Sequence, residues 1–154
     1  MIATRLALAL ALALGACANP SYGEARADLP AIPPDRGRIV FLGDNLGRYG
    51  PLEGGDYEPV IAVDGWPLDV GHGLGVCFAV DAPAGMRTIS VDGAEHLEIL
   101  VESRKTRYIE MQVYPEENRG FSLKRFIYRM RLLNRPESQA EGRLDQLEFL
   151  GIAE

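Results

Sequence analysis

The stretch VIAVDGWPLDVGHGLGVCFAVDAPAGMRTISV, residues 60–91, decides the fold class. Two apolar runs flank Asp64-Gly65, a dipeptide that tolerates the positive φ angles of a two-residue hairpin turn. This pattern predicts a β-hairpin. By alternation, three residues after the turn are expected to share one face: Trp66, Leu68 and Val70.

The second half of this stretch predicts two more strands. In GVCFAV, Val76, Phe78 and Val80 fall on one face, and Cys77 and Ala79 fall on the other. Pro83 and Gly85 interrupt the pattern, and the β-branched run at 87–91 resumes it. Residues 76–80 thus form a predicted strand with apolar residues on both faces.

Strands also follow downstream. In 96–102, Leu97, Ile99 and Val101 alternate with Glu98 and Glu102, and in 107–114, Ile109, Met111 and Val113 alternate with Glu110 and Gln112. This period of two is typical of half-buried strands, with a turn over 103–106. Residues 121–133 are expected to form a strand with a bulge near Lys124-Arg125. For residues 136–151 a short helix competes with a final strand.

Together these strand patterns predict a single all-β domain over residues 38–154. The expected fold is a small antiparallel β-sandwich of about seven or eight strands with a short C-terminal helix. RIVFL at 38–42 would be the first strand, and a glycine-rich surface loop would follow it.

The N-terminus carries the sharpest functional signal. The apolar run after Arg5 is too short to span a bilayer and reads as a secretory signal over residues 1–16. Leu14-Gly15-Ala16-Cys17 resembles the lipobox of bacterial lipoproteins, in which the signal is cut before an acylated cysteine. Cys17 is therefore the predicted lipidation site. Ala18 at the next position favours the periplasmic face of the outer membrane, by resemblance to Gram-negative sorting.

Residues 17–37 contain Pro20, Pro30, Pro33 and Pro34 among small and polar residues. We predict a flexible tether here, because proline removes hydrogen-bond donors and favours extended chain. A tether of this length would lift the domain clear of the lipid headgroups.

The net charge limits the kinds of partner the chain can bind, and the cysteine content limits the disulfides it can form. The 154-residue chain has a formal net charge of −6, and removing residues 1–16 takes away only the positive Arg5. Such an acidic chain is repelled by nucleic acid, so none is expected as a partner. Cys77 remains without a second cysteine once Cys17 is acylated, so no intramolecular disulfide is expected.

Several turn motifs resemble a family of bacterial lipoproteins known as a domain of unknown function. The residues that carry the likeness are Asp64-Gly65, Pro83-Ala84-Gly85 and Lys105-Thr106-Arg107-Tyr108, within residues 38–114. Arg104 departs from the family, which tends to have glycine there, and the first strand lacks the usual Tyr-Arg. The resemblance implies a small β-sandwich and supplies no catalytic residue.

No pattern in the chain points to catalysis or a cofactor. The serines lack a Gly-x-Ser-x-Gly elbow. Cys77 with His72 or His96 is the only thiol option for catalysis, but Cys77 lies inside a predicted strand, where a buried and inert thiol is usual. A zinc site from His72, Cys77 and His96 lacks paired ligand spacing. We therefore predict no catalytic, cofactor or metal site and a buried, inert Cys77.

The sequence favours a non-enzymatic binding module for an envelope protein or glycan, with an envelope hydrolase as the alternative. Loops on a rigid scaffold are the expected contact surface. The candidates are Arg48 and Tyr49 in the glycine-rich loop and the basic turn Arg104-Lys105.

Overall fold

The computed structural model describes residues 19–43, 60–69, 75–91, 96–118 and 125–153. Within these ranges the fold is all-β, as predicted, with nine strands and two short helices. The strands are β1 (Arg36–Gly43), β2 (Ile61–Val63), β3 (Trp66–Pro67), β4 (Val76–Pro83), β5 (Gly85–Val91), β6 (Leu97–Val101), β7 (Thr106–Asn118), β8 (Arg125–Arg135) and β9 (Glu148–Ala153). The helices are α1 (Tyr22–Ala25), which a 3-10 turn (Arg26–Asp28) extends, and α2 (Glu137–Leu144).

The first sheet has five strands in the order β8-β7-β1-β4-β9, and it corrects the antiparallel prediction. The β7–β8 and β1–β4 pairs are antiparallel, but β1 pairs with β7, and β4 with β9, in parallel. Between β1 and β4, and again between β4 and β7, the chain leaves this sheet to build the other one. Alternation of side chains reports which face a residue occupies, and it carries no information about strand direction.

The second sheet is antiparallel throughout, in the order β3-β2-β5-β6. The chain changes sheets at Ala84, since β4 belongs to the first sheet and β5 to the second. The break predicted at Pro83 and Gly85 is therefore confirmed. Gly85 has a φ of 123°, which favours glycine at this corner.

One hydrophobic cluster, the main core, draws buried side chains from both sheets. Phe41 and Phe78 belong to this cluster and stack with ring centroids 4.9 Å apart. Phe78 and Val80 belong to this cluster, whereas Cys77 and Ala79 belong to a second one. The two-faced strand predicted at 76–80 is confirmed.

That second cluster, the second core, lies on the other face of the first sheet. Val40, Leu42 and Tyr108 enter it from the sheet, and Tyr22, Ala140 and Leu144 enter it from α1 and α2. Strand β1 consequently has buried residues on both faces. The half-buried pattern predicted for 107–114 is wrong at Glu110, which is 4% exposed.

The flexible tether predicted for residues 17–37 is wrong over its described part, 19–37. Ser21 and Glu24 form a capping box at α1, Tyr22 is buried, and Ser21 forms an isolated bridge with Glu148 of β9. The prolines suggested extended chain, but the apolar Tyr22 and Leu29 cover a sheet face that would otherwise meet water. The domain accordingly includes this segment, and β1 begins at Arg36 rather than at residue 38.

A buried ion pair fastens the end of the N-terminal segment to the sheet. Arg38 is 4% exposed and donates to both carboxylate oxygens of Asp81, over 2.7 and 2.9 Å. The Arg38 guanidinium also donates to the Pro30 carbonyl over 3.0 Å. This geometry ties β1, β4 and residue 30 together.

The C-terminal region resolves the competition between helix and strand by forming both. Helix α2 buries Ala140 and Leu144, and β9 follows it after a short turn. Strand β8 confirms the predicted strand from residue 125 onward. Residues 121–124, and with them the bulge predicted near Lys124-Arg125, lie outside the described residues.

Candidate functional site

The predicted hairpin at Asp64-Gly65 is confirmed. Both residues have positive φ angles, 52° and 82°, and β2 pairs with β3 in the register Val63 to Trp66. These angles match the mirror-image turn that suits the twist of a two-stranded ribbon.

The Asp64 carboxylate braces the hairpin against β5. One oxygen accepts the Thr88 N–H over 2.9 Å, and the other contacts Arg87 Nη1 at 2.9 Å. Arg87 also donates to the carbonyls of Pro83 and Ala84. The Thr88 N–H and then Arg87 lower the pKa of Asp64, because both favour its ionised form. The hairpin is thus tied to the corner between β4 and β5.

Trp66, the only tryptophan in the chain, stands exposed directly after this turn. Its exposed fraction is 78%, whereas Leu68 is 7% exposed and lies in the main core. The register agrees with the expectation that Trp66 and Leu68 share one face, since Trp66 pairs with Val63 and the Leu68 N–H donates to the Ile61 carbonyl over 2.8 Å. Their burial differs because Trp66 lies at the turn end of the edge strand β3, where few neighbours cover it. Val70, the third residue of that expectation, lies outside the described residues. An exposed tryptophan on a braced hairpin can anchor a contact, since its ring combines a large apolar area with a polar N–H.

A second apolar feature lies on the outer face of the same sheet. Met86 and Leu100 are cross-strand partners in β5 and β6, and they are 61% and 50% exposed. Their inward-facing neighbours Ile89 and Ile99 are in the main core. These two side chains form a small exposed apolar patch on a face that also carries Thr88 and Glu98.

Of the predicted contact residues, Arg104 and Lys105 are described, and they form the turn between β6 and β7. Arg104 has a φ of 59°, and its N–H donates to the Arg36 carbonyl over 2.7 Å. The Lys105 ammonium contacts Glu102 at 2.7 Å, and the backbone carbonyl of Lys105 accepts the Arg38 N–H. The backbone of this turn therefore joins the two sheets, and its exposed side chains remain a predicted contact surface.

Other predicted residues lie outside the described ranges: Cys17, Arg48, Tyr49 and His72. Their predicted roles stay predictions.

Cys77 has the properties of a structural thiol. It is fully buried in the second core beside the Tyr22 backbone, and burial raises its pKa to about 12. Burial keeps such a thiol protonated near neutral pH, which disfavours nucleophilic reactivity.

A polar cluster with several hydrogen bonds is centred on Glu110, on the second-core face of β7. Its carboxylate accepts hydrogen bonds from Arg135 Nε over 2.6 Å, Gln112 Nε2 over 2.8 Å and Arg143. Arg143 comes from α2 and Arg135 from the end of β8, so the cluster joins three elements. A buried carboxylate needs such partners, and the arrangement explains its burial without a ligand.

Within the described ranges, no three His, Cys, Asp or Glu side chains are placed to hold a metal ion. None of the helices in those ranges is long and apolar enough to cross a membrane.

In comparisons with known proteins, no family model, no curated protein and no solved structure matches this chain. The site is therefore argued from its own geometry.

Sequence reasoning missed Trp66 as a candidate contact residue. Its position directly after Asp64-Gly65 was the available signal, because a residue at a hairpin end on an edge strand has few neighbours to cover it. The alternation rule placed it on one face with Leu68 and Val70 and carried no information about its exposure.

Proposed function

We propose that this chain is a bacterial lipoprotein, anchored through acylated Cys17, whose β domain is a non-enzymatic binding module of the cell envelope. The anchor is inferred from the lipobox-like Leu14-Gly15-Ala16-Cys17. Two or more acyl chains give stable anchoring, because each buried methylene contributes about 0.8 kcal/mol. Ala18 supports the periplasmic face of the outer membrane as its location.

The binding role depends on one observation, the exposed Trp66 on its braced hairpin. A ring that is 78% exposed loses its apolar hydration when a partner covers it. The turn and the Asp64–Arg87 pair hold the hairpin in place before binding, which lowers the entropy lost on association. The proposed partner is an envelope protein or a glycan, and either can stack on an indole ring.

We also propose that the two sheets stack as a β-sandwich, as in the lipoprotein family that the turn motifs resemble. The main core supports this arrangement, since it contains Ile39 and Ile109 of the first sheet with Ile61 and Ile89 of the second. The motif residues Asp64-Gly65 and Pro83-Ala84-Gly85 occupy a hairpin turn and a corner between sheets.

The test uses Trp66 as its own reporter, because the chain has no other tryptophan. Purified mature protein is titrated with soluble peptidoglycan fragments, and separately with fractionated envelope proteins, while the emission is followed. We expect a saturable shift of the emission to shorter wavelength with one of these partners, because coverage removes water from the ring.

Variants then locate the contact. Their binding is measured by titration calorimetry, because Trp66→Ala removes the fluorescent reporter. Trp66→Ala should weaken binding at least about tenfold, as the loss of a buried aromatic anchor does. Met86→Ala, an exposed apolar residue on the outer face of the same sheet, is the matched control and should bind like the wild type. Equal binding by wild type and Trp66→Ala would remove the hairpin from the site. Turnover of a cell-wall substrate by the purified domain, abolished by changing one of its own residues, would replace the binding role with the hydrolase alternative.

A further inference from the structure

The N-terminal segment is fixed to the domain from its first described residue. The Asn19 side chain donates to Glu148 Oε1 over 2.6 Å, and the Pro20 carbonyl accepts the Phe149 N–H over 3.0 Å. Tyr22 then enters the second core at 2% exposure. The start of the segment is thus attached to the edge strand β9 by side-chain, backbone and packing contacts.

Only Ala18 separates this attachment from Cys17. A residue of extended chain spans at most about 3.6 Å, so a two-residue connection from Asn19 to Cys17 can reach at most about 7 Å. If Cys17 is acylated, as the proposed function holds, its lipid cannot be farther away than this short span allows.

We propose that the domain sits directly on the lipid bilayer, with the surface around Asn19 turned toward the headgroups. This surface, the anchor face, consists of Asn19, Ser21, Glu24, Asp145 and Glu148, which are half-buried or exposed. Contacts link its members: Glu24 accepts from Ser21, Glu148 accepts from Asn19, and Asp145 lies against Gly23. The inference rests on the proposed lipid anchor and replaces the idea of a domain suspended on a long tether.

The charge of the anchor face indicates which interaction keeps this face against the bilayer. Glu24, Asp145 and Glu148 are carboxylates, which anionic headgroups repel. The lipid chains and the short connection therefore impose the orientation, and attraction between the face and the headgroups does not. It follows that the orientation should form on neutral phosphatidylcholine vesicles.

The orientation also determines which surface of the domain faces away from the bilayer. The second sheet lies on the opposite side of the first sheet from α1, α2 and the N-terminal segment, because the main core and the second core occupy opposite faces of the first sheet. The outer face of the second sheet, with Met86 and Leu100, is consequently separated from the helical layer by two sheets, whose spacing is about 10 Å.

The test measures how far two sides of the protein are from the headgroups. The acylated full chain is reconstituted in phosphatidylcholine vesicles that carry an energy acceptor on their headgroups. Gln146→Cys places a fluorescent thiol label next to the anchor face, and Leu100→Cys places it on the second sheet. Cys77 stays unlabelled because it is buried, and acylated Cys17 has no free thiol.

We expect energy transfer several-fold more efficient from position 146 than from position 100. Inserting a flexible Gly-Ser linker of about 12 residues between Ala18 and Asn19 should make the two efficiencies similar, because it frees the domain from the surface. Equal transfer from both positions in the uninterrupted chain would overturn the inference, as would an unchanged difference after the insertion.

Acylation is measured separately, from the mass of the N-terminal peptide. A chain without acyl groups on Cys17 contradicts both the proposed function and this inference. An acylated chain with equal transfer from both labels contradicts the orientation alone.

Discussion

Tyr22 packs edge-on against Phe149, with ring centroids 5.2 Å apart and ring planes at 73°. The two residues come from opposite ends of the chain, one from α1 and one from β9. Their contact makes the N-terminal segment part of the domain's packing. Burial raises the pKa of Tyr22, which agrees with a ring held in an apolar environment.

Tyr22→Ala should therefore lower the free energy of unfolding by about 3 kcal/mol, the usual cost of removing a buried aromatic ring. Urea unfolding followed by circular dichroism measures the change. Trp66→Ala is the control, and its effect should stay within about 0.5 kcal/mol because that ring is exposed. An unaltered urea midpoint in Tyr22→Ala would contradict this packing and support the prediction of a flexible tether.

Two glycines should respond in opposite ways to alanine. A Cβ on Gly37 would lie 2.4 Å from the Glu102 carbonyl oxygen and 2.7 Å from Val101 Cγ1, whereas a Cβ on Gly142 meets nothing within 4 Å. We expect Gly37→Ala to destabilise by at least about 2 kcal/mol, since backbone must shift. Gly142→Ala, within α2, should stabilise by up to about 1 kcal/mol. Thermal unfolding of both variants checks the pair, and a neutral Gly37→Ala would refute the close approach of β1 to the β6–β7 turn.

The Arg38–Asp81 ion pair should be costly to break from one side. Arg38→Met leaves the Asp81 carboxylate without its bidentate partner and the Pro30 carbonyl without a donor, and we expect a loss of about 3 kcal/mol. The double variant Arg38→Met, Asp81→Leu should recover part of this loss, because no unpaired charge remains. A double-mutant cycle by urea unfolding measures the coupling, and strictly additive effects would show that the two side chains do not depend on each other.

Asp64 should contribute stability that depends on pH. Its pKa is lowered from the ordinary value of 3.8, so its contribution is fully present above about pH 4 and is lost as the pH falls through the lowered value. Asp64→Asn keeps a residue suited to the turn while removing the charge. We expect it to cost at most about 1 kcal/mol at pH 7, because the pair is partly exposed, and less at pH 3. Urea midpoints at both pH values measure this, and an equal cost at both would contradict the ion pair.

Cys77 should resist thiol reagents in the native state. Its pKa of about 12 and full burial leave little thiolate and no access, so modification should require unfolding. Mass spectrometry of the peptide that contains Cys77, after maleimide treatment with and without urea, checks this. Rapid labelling without urea would show that the Cys77 thiol is accessible and reactive in the native state.

Local patterns in the sequence predicted the elements that local physics controls. The Asp64-Gly65 hairpin, the two faces of 76–80 and the corner at Pro83 to Gly85 all follow from turn chemistry and side-chain alternation. The capping box of α1 also has a sequence signal, Ser21 and Glu24 at the required spacing, which the prediction of a tether did not take into account.

Only the tertiary structure decided which surfaces are covered. Alternation placed Glu110 on a solvent face, but α2 covers that face and Glu110 is buried. Alternation did not indicate the exposure of Trp66, which the short edge strand β3 leaves uncovered. The parallel pairs of β1 with β7 and β4 with β9 arise from the path of the chain between sheets, which no local pattern encodes. The sequence by itself determined where strands and turns form, since these depend on neighbouring residues. The partners of each strand, and the attachment of the N-terminal segment to β9, depend on contacts between residues far apart in the chain.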